Sequence, residues 1–250
     1  MNARVSSASM QISNLSATEV TPEAQVYSEL LPLEHAVVIE LGCGRAEHTR
    51  AIAKAYPRAR ITAFEVDKIQ FDLNTAAANP PNLKFNYGGA EAIDAPNNSA
   101  DIVLMFKSLH HVPRETMGRA MQEVARVLRP GGFAYISEPV FAGEFNEIMR
   151  IFNNEEQVRI AAFDAIRRVV ESGALELVAQ RFFLTPVCFR DFAEFESKII
   201  RATHSNHKLT EAHFNLVKVR FERHVGPDGA KFNTPTRADL LRKLAPPMHD

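Results

Sequence analysis

The chain has no tryptophan, only two cysteines, and no long uninterrupted apolar run. Cys43 and Cys188 are the two cysteines among its 250 residues. Two cysteines cannot build a disulfide framework or a cysteine-based structural zinc site, so the composition favours a reducing compartment. No apolar stretch approaches the roughly 20 residues that a membrane-spanning helix needs. The sequence therefore predicts a cytoplasmic location and no membrane partner.

The chain also lacks an excess of charge of either sign. Lys and Arg number 29 against 30 Asp and Glu, which gives a formal net charge of -1 and a pI near 6.8. Binding to a phosphate backbone requires clustered Lys and Arg side chains. We therefore predict no nucleic-acid partner.

The N-terminal segment is rich in serine and lacks the apolar core of a signal peptide. This composition predicts a flexible arm over residues 1–20. The remaining 230 or so residues are long enough for one large domain with insertions, so we assign residues 21–250 to a single domain.

Predicted strands and helices alternate through the first part of this domain. Unbroken or alternating apolar runs predict seven strands, and periodic apolar positions predict helices between them. A regular alternation of this kind favours a doubly wound α/β fold, with a mostly parallel sheet and helices on both faces. The predicted strands cover residues 36–41, 60–65, 83–87, 102–106, 133–138, 175–189 and 237–244.

Two segments carry more helix than a simple crossover requires. Amphipathic stripes follow the fifth predicted strand, and two further helices, predicted over residues 190–203 and 210–224, follow the sixth. We predict that these extra helices, within residues 141–174 and 190–224, cover a pocket.

Two glycines follow the first predicted strand at once, in the order Glu40-Leu41-Gly42-Cys43-Gly44. Glycine lets a ligand approach the backbone closely, and the next helix offers free N–H groups to a carboxylate. Glu65 ends the second strand, at the same edge of a parallel sheet, where it can accept hydrogen bonds from ribose hydroxyls. The alternative for Glu65 is a solvated strand end.

This loop and a second motif, Arg126-Val127-Leu128-Arg129-Pro130-Gly131-Gly132, resemble those of class I S-adenosylmethionine (SAM) dependent methyltransferases. The resemblance covers roughly residues 36–138. It implies a seven-stranded sheet with an antiparallel last strand, and a SAM site. The residues that it places at this cofactor are Glu40, Gly42, Cys43, Gly44, Glu65, Val66, Ala90, Glu91 and Lys107. Two positions depart from the family pattern: Ala46 stands where the family often has a third glycine, and Gly89 stands where an aspartate often contacts the adenine amine.

The resemblance implies transfer of the SAM methyl group to a small-molecule acceptor, with S-adenosylhomocysteine as the product, and leaves a homodimer open. One alternative is a SAM-binding regulatory or scaffold protein without turnover. A less favoured alternative is a nicotinamide-dependent dehydrogenase. Its fingerprint requires a third glycine where this chain has Glu47, and Glu40 and Glu47 would repel a pyrophosphate.

The histidine pair His110-His111 follows the fourth predicted strand. Because imidazole titrates near neutral pH, we predict that one of the two is a general base or a substrate anchor. The alternative is a packing role at a helix entry. His204, His207 and His213 lack an accompanying set of acids and cysteines, so we predict no metal site.

Overall fold

One mixed sheet organises the chain in a computed structural model that describes residues 10–201 and 209–245. Seven long strands and one two-residue strand form it. Their bounds are β1 Val37–Leu41, β2 Arg60–Glu65, β3 Leu83–Tyr87, β4 Ala100–Phe106, β5 Leu128–Pro139, β6 Glu176–Phe189, β7 Val225–Gly226 and β8 Gly229–Arg242.

Helices connect the strands and pack on the sheet. In chain order they are α1 Glu23–Leu30, α2 Glu47–Ala55, α3 Lys68–Ala76, α4 Met117–Val127, α5 Glu144–Met149, α6 Glu156–Glu171, α7 Phe192–Phe195 and α8 Glu211–Glu222. A 3-10 turn covers Leu109–His111 directly after β4. Asp67 caps α3, because its side chain accepts hydrogen bonds from the backbone N–H groups of Ile69 and Gln70.

The strand order is β3-β2-β1-β4-β5-β8-β6. Strands β1 to β5 are parallel, whereas β8 lies antiparallel between β5 and β6. The predicted doubly wound, mostly parallel sheet with an antiparallel last strand is therefore confirmed. Because the order reverses between β1 and β4, the segments that follow these two strands flank one crevice, where open α/β sheets bind ligands.

Two apolar clusters occupy the two faces of the sheet. One contains Ile39, Val103 and Ile136 with the buried sides of α4 and α6. The other contains Val38 and Leu104 with side chains from α1 and α2. Neighbouring strand residues thus point to opposite faces, as the unbroken apolar runs predict for strands that are buried on both sides.

Several predicted boundaries were wrong at the C-terminal side. Strand β8 begins at Gly229 instead of residue 237, because its first half pairs with the outer half of β6, up to Ala230 opposite Phe189. The helix predicted over 190–203 is the short α7 followed by a π-helical turn, Glu196–Ile200. Residues 202 and 203 of that prediction lie outside the described part of the chain.

The first nine residues of the predicted arm lie outside the described residues, while 10–20 contact the sheet. Met10 is buried, and Arg237 donates a hydrogen bond of 3.0 Å to the carbonyl of Ile12. Val20 forms a bridge to Leu184 of β6. An apolar side chain and backbone groups able to pair with an edge strand explain why packing begins before residue 20.

The extra helices fall into two groups. Helix α6 packs on α4 and buries Ile166 in the first cluster. Helices α5, α7 and α8 instead form a third cluster, rich in phenylalanine, with the outer ends of β6 and β8. Its buried members include Phe189, Phe195 and Phe221. This cluster stands beyond the carboxyl edge of β5, where it forms one wall of the cavity described below.

Helix α6 should be a structural part of the sheet core, so we expect Ile166→Ala to destabilise the protein by about 2–5 kcal/mol, the usual cost of such a cavity. The matched control is Ile160→Ala on the same helix, where Ile160 is 38% exposed and the cost should stay within about 0.5 kcal/mol. Denaturant unfolding followed by circular dichroism measures both. Equal stabilities of the two variants would contradict this placement.

Candidate active site

The loop after β1 is fixed by its neighbours on both sides. The N–H groups of Gly42 and Cys43 each donate a 3.0 Å hydrogen bond to the carbonyl of Phe64 in β2. A Cβ atom on Gly42, whose φ is +70°, would lie 2.8 Å from the Cβ of Ser108 after β4. Ser108 in turn donates to the carbonyl of Leu41 at 2.7 Å. Gly42 is therefore required by the close approach of β1 and the segment after β4.

Gly44 presents a free backbone face. Its φ is +51°, and no atom lies within 4 Å of the position that a Cβ would take. Ala46, where the family often has glycine, also has a positive φ of 55° as the residue before α2. The loop thus keeps a glycine-type conformation at both positions, and the strain at Ala46 is held by full burial of its methyl group.

Glu65 joins this loop to the end of β2. Its carboxylate accepts hydrogen bonds from the N–H of Gly44 at 2.7 Å and from those of Val66 and Asp67 at 2.8 Å each. The side chain is buried, whereas the adjacent Val66 side chain is 57% exposed. The anchored Glu65 carboxylate can accept hydrogen bonds from ribose hydroxyls. The exposed Val66 side chain beside it can contact a flat base.

Two further acids face the same loop. Glu40 of β1 and Glu23 of α1 are both buried, and each has one carboxylate oxygen without a partner among the described residues. Burial, with added repulsion from Glu23 and Glu65, raises the pKa of Glu40 to about 8. The unpaired oxygens of Glu23 and Glu40 would suit a cationic ligand, which would favour the charged form of Glu40.

The segment after β3 explains the second departure from the family pattern. A Cβ on Gly89 would lie 2.4 Å from a carboxylate oxygen of Glu91. The Glu91 carboxylate therefore occupies the space beside Gly89, where the family has an aspartate side chain. Ala90 between them is buried.

The two histidines after β4 have different environments. His110 is buried, its Nδ1–H donates a short hydrogen bond to Glu138 at the end of β5, and its Nε2 lies 3.9 Å from an oxygen of Glu155. Burial alone would lower the pKa of His110, but the attraction and hydrogen bond of Glu138, together with Glu155, raise it. The buried His110 ring, bound to Glu138, is less accessible to an acceptor than the ring of His111. His111 is exposed.

His110, His111 and Glu155 each bring one potential metal-ligand atom within 4.8 Å of the others. The Arg159 guanidinium contacts the same Glu155 carboxylate at 2.6 Å, and its charge opposes a divalent cation there. The expectation of no metal stays a prediction. Of the histidines that it rested on, His204 and His207 lie outside the described residues.

A cavity of about 260 Å³ opens beside the histidine pair. Residues from the end of β4, from α5 and α6, and from the outer halves of β6 and β8 line it. Lys107 belongs to this lining, and its ammonium contacts Glu23 at 2.8 Å. This ion pair connects the cavity to the acidic loop.

The structure brings together most of the predicted residues and adds others. Asn74 of α3, which donates to the carbonyl of Gly44 at 2.7 Å, was missed by the sequence reasoning. Glu23, Glu138 and Glu155 were also missed. Glu138 could have been identified from the sequence, because it ends a predicted strand, which is how Glu65 was identified.

Comparisons with known proteins find methyltransferases that are similar to this chain. Residues 38–132 match the model of a methyltransferase domain. A fatty-acid O-methyltransferase of Mycolicibacterium smegmatis is 27% identical over 162 residues, which cover 63% of this chain and 58% of the relative. A phthiotriol/phenolphthiotriol dimycocerosates methyltransferase of Mycobacterium ulcerans is 31% identical over 96 residues, 38% of this chain and 35% of the relative. The matches thus span less than two thirds of these relatives.

Solved structures support the fold. A putative methyltransferase of Bacillus halodurans has a TM-score of 0.60 at 16% identity and covers 89% of this chain and 99% of its own. The cyclase SpnF has a TM-score of 0.58 at 17% identity, with 89% and 80% covered. Because a cyclase shares this fold, the fold alone does not determine the reaction.

The position of Glu65 predicts its effect on cofactor affinity. We expect Glu65→Ala to weaken SAM binding by about 10- to 150-fold, because charge-assisted hydrogen bonds to the ligand and the anchor of the loop are lost. Calorimetric titration measures this. Asp72→Ala, which removes an exposed acid on α3, is the matched control and should leave affinity unchanged. An unaltered dissociation constant in a folded Glu65→Ala variant would remove Glu65 from the site.

Proposed function

We propose that this chain is a class I SAM-dependent methyltransferase that transfers a methyl group from SAM to a small-molecule acceptor in the cavity beside the histidine pair, as its similarity to methyltransferases supports. The observation that carries this proposal is the juxtaposition of the acidic glycine loop and the cavity at the reversal of strand order between β1 and β4. A ligand in the loop and an acceptor in the cavity would then meet near Lys107.

The residues around the loop fit SAM. Its sulfonium and ammonium groups are cationic, and Glu23 and Glu40 offer buried carboxylate oxygens that lack partners among the described residues. The open backbone face of Gly44 and the exposed Val66 side chain leave room for the nucleoside part. When bound, SAM supplies a methyl group that is activated by positive sulfur.

The chain's own contribution to transfer is orientation and electrostatics. Glu65 holds the loop, and Glu138 fixes the orientation of the His110 ring. Positioning a nucleophile in line with an activated carbon supplies much of the rate of such a displacement. If the acceptor carries a proton, the exposed His111 is better placed than the buried His110 to remove that proton. We therefore propose His111 as the general base.

An apolar acceptor is supported by two observations. The cavity wall includes Val140, Phe145 and Met149. The relatives named above act, by their names, on fatty acids and on phthiotriol dimycocerosates, both of which have long apolar parts. We therefore propose an acceptor with an apolar body.

The raised pKa of Glu40 predicts proton release when SAM binds. Near pH 7 a carboxyl group with a pKa of about 8 is mostly protonated, and a cationic ligand favours its charged form. Affinity should therefore rise with pH up to about 8 and then level off. Titration calorimetry at pH 7 in two buffers of different ionisation heat measures the released proton. We expect the release to disappear in Glu40→Gln. Equal heats in both buffers for the unaltered chain would contradict this role.

The activity itself is tested by incubating the chain with SAM and a library of small acids, alcohols and amines, and measuring release of S-adenosylhomocysteine. At least one acceptor should give turnover. Gly44→Val should abolish it, because the branched side chain fills the open face of the loop and strains a positive φ. Tight SAM binding without turnover on any acceptor would instead favour a regulatory SAM-binding protein.

A further inference from the structure

The cavity beside the histidine pair carries more positive than negative charge. Three Lys or Arg side chains contribute to its lining, namely Lys107, Arg159 and Lys198, against one carboxylate, that of Glu155. Lys107 and Lys198 each pair at 2.8 Å with an acid, Glu23 or Glu194, that does not belong to the lining. The face turned to the cavity is therefore the positive side of these ion pairs.

Three residues that line the same cavity have a hydrogen-bond donor without a partner among the described residues. The Nδ2 of Asn146, the Nε of Arg159 and the hydroxyl of Thr234 are buried and lack a partner among the described residues. A buried donor without an acceptor costs about 1–3 kcal/mol. Three such donors around one cavity suit a ligand that supplies hydrogen-bond acceptors.

The orientation of the Asn146 amide is determined by its neighbour. The Arg159 Nη1 donates to the Asn146 Oδ1 at 3.0 Å, so the amide oxygen is occupied and the NH₂ group remains available. Asn146 and Thr234 line the cavity and are each more than nine-tenths buried. An oxygen-rich anion bound beside them would supply acceptors for both donors and for the Arg159 Nε.

The rest of the wall is apolar. Val140, Phe145, Met149, Val187 and Ile199 supply it, from α5, the outer half of β6 and neighbouring segments. A ligand suited to the whole cavity therefore combines one anionic oxygen group with an apolar body.

We propose that the acceptor of this protein is a carboxylic acid with an apolar body, and that Asn146, Arg159 and Thr234 bind its carboxylate. This inference rests on the proposed function only in treating the ligand as the methyl acceptor. The binding site itself is argued from the charges and hydrogen-bond donors of the cavity. Recognition by donors and cations discriminates strongly against uncharged analogues, because these would leave the buried donors unpaired.

The test is equilibrium binding of octanoate to the full chain by titration calorimetry, with and without S-adenosylhomocysteine. Octanoate should bind at least about 10-fold more tightly than 1-octanol, octylamine or methyl octanoate, since hydrogen bonds to a charged group are worth about 1.5–3 kcal/mol. Equal or tighter binding of the alcohol, the amine or the ester would overturn the proposal.

Two variants assign the site to these residues. Asn146→Asp keeps an oxygen that can accept from Arg159 but places a negative charge in the lining of the cavity. It should weaken octanoate binding by about 10-fold or more. Asn97→Asp is the matched control, because Asn97 likewise accepts from an arginine, Arg126, but is exposed and outside the cavity lining. Thr234→Val removes one hydroxyl at constant shape, with the exposed Thr75→Val as its control.

The outcomes separate this inference from the proposed function. Loss of affinity in Asn146→Asp and Thr234→Val, but not in the controls, supports the carboxylate site. Unchanged octanoate affinity in both variants overturns it, even when S-adenosylhomocysteine binds normally. Octanoate binding without any binding of S-adenosylhomocysteine would overturn the methyltransferase proposal and leave the carboxylate site in place.

Discussion

The hydrogen bonds of the Glu65 carboxylate are the contact on which the candidate site depends. One buried side chain accepts from the loop after β1 and from the first residues after β2, so it fixes two adjacent strand ends at once. A carboxylate accepts such bonds more strongly than a neutral oxygen would. Because Asn74 holds the carbonyl of Gly44 from the other side, the loop is set before any ligand arrives.

The two halves of the site have opposite electrostatic character. Glu23, Glu40 and Glu65 surround the glycine loop, whereas cationic side chains predominate around the cavity. The ion pair between Glu23 and Lys107 stands at the boundary between them. This division suits a cationic methyl donor on one side and an acceptor with negative charge on the other, since each half attracts its own ligand and repels that of its neighbour.

For several residues that were identified from the sequence, the structure shows a role that differs from the expected one. Gly42 was expected to make room for a ligand, but it is required by Ser108 of the same chain. At Gly89 and Ala46 the residue type departs from the family pattern, but the local structure compensates. The Glu91 carboxylate fills the space beside Gly89, and Ala46 keeps a left-handed backbone conformation. His110 was expected as a base or an anchor, and its buried contact with Glu138 fixes the orientation of its ring and raises its pKa.

The sequence by itself determined the alternation of strands and helices, the glycine loop and the acid that ends β2, because these depend on local periodicity and on residue types close together in the chain. Tertiary structure decided the length of β8 and the makeup of the cavity. Strand β8 is extended by pairing with β6, some 50 residues away. The cavity combines Asn146, Arg159 and Thr234 from separate elements. No local pattern records that these three donors share one cavity, since only the packing of α5, α6 and β8 brings them together.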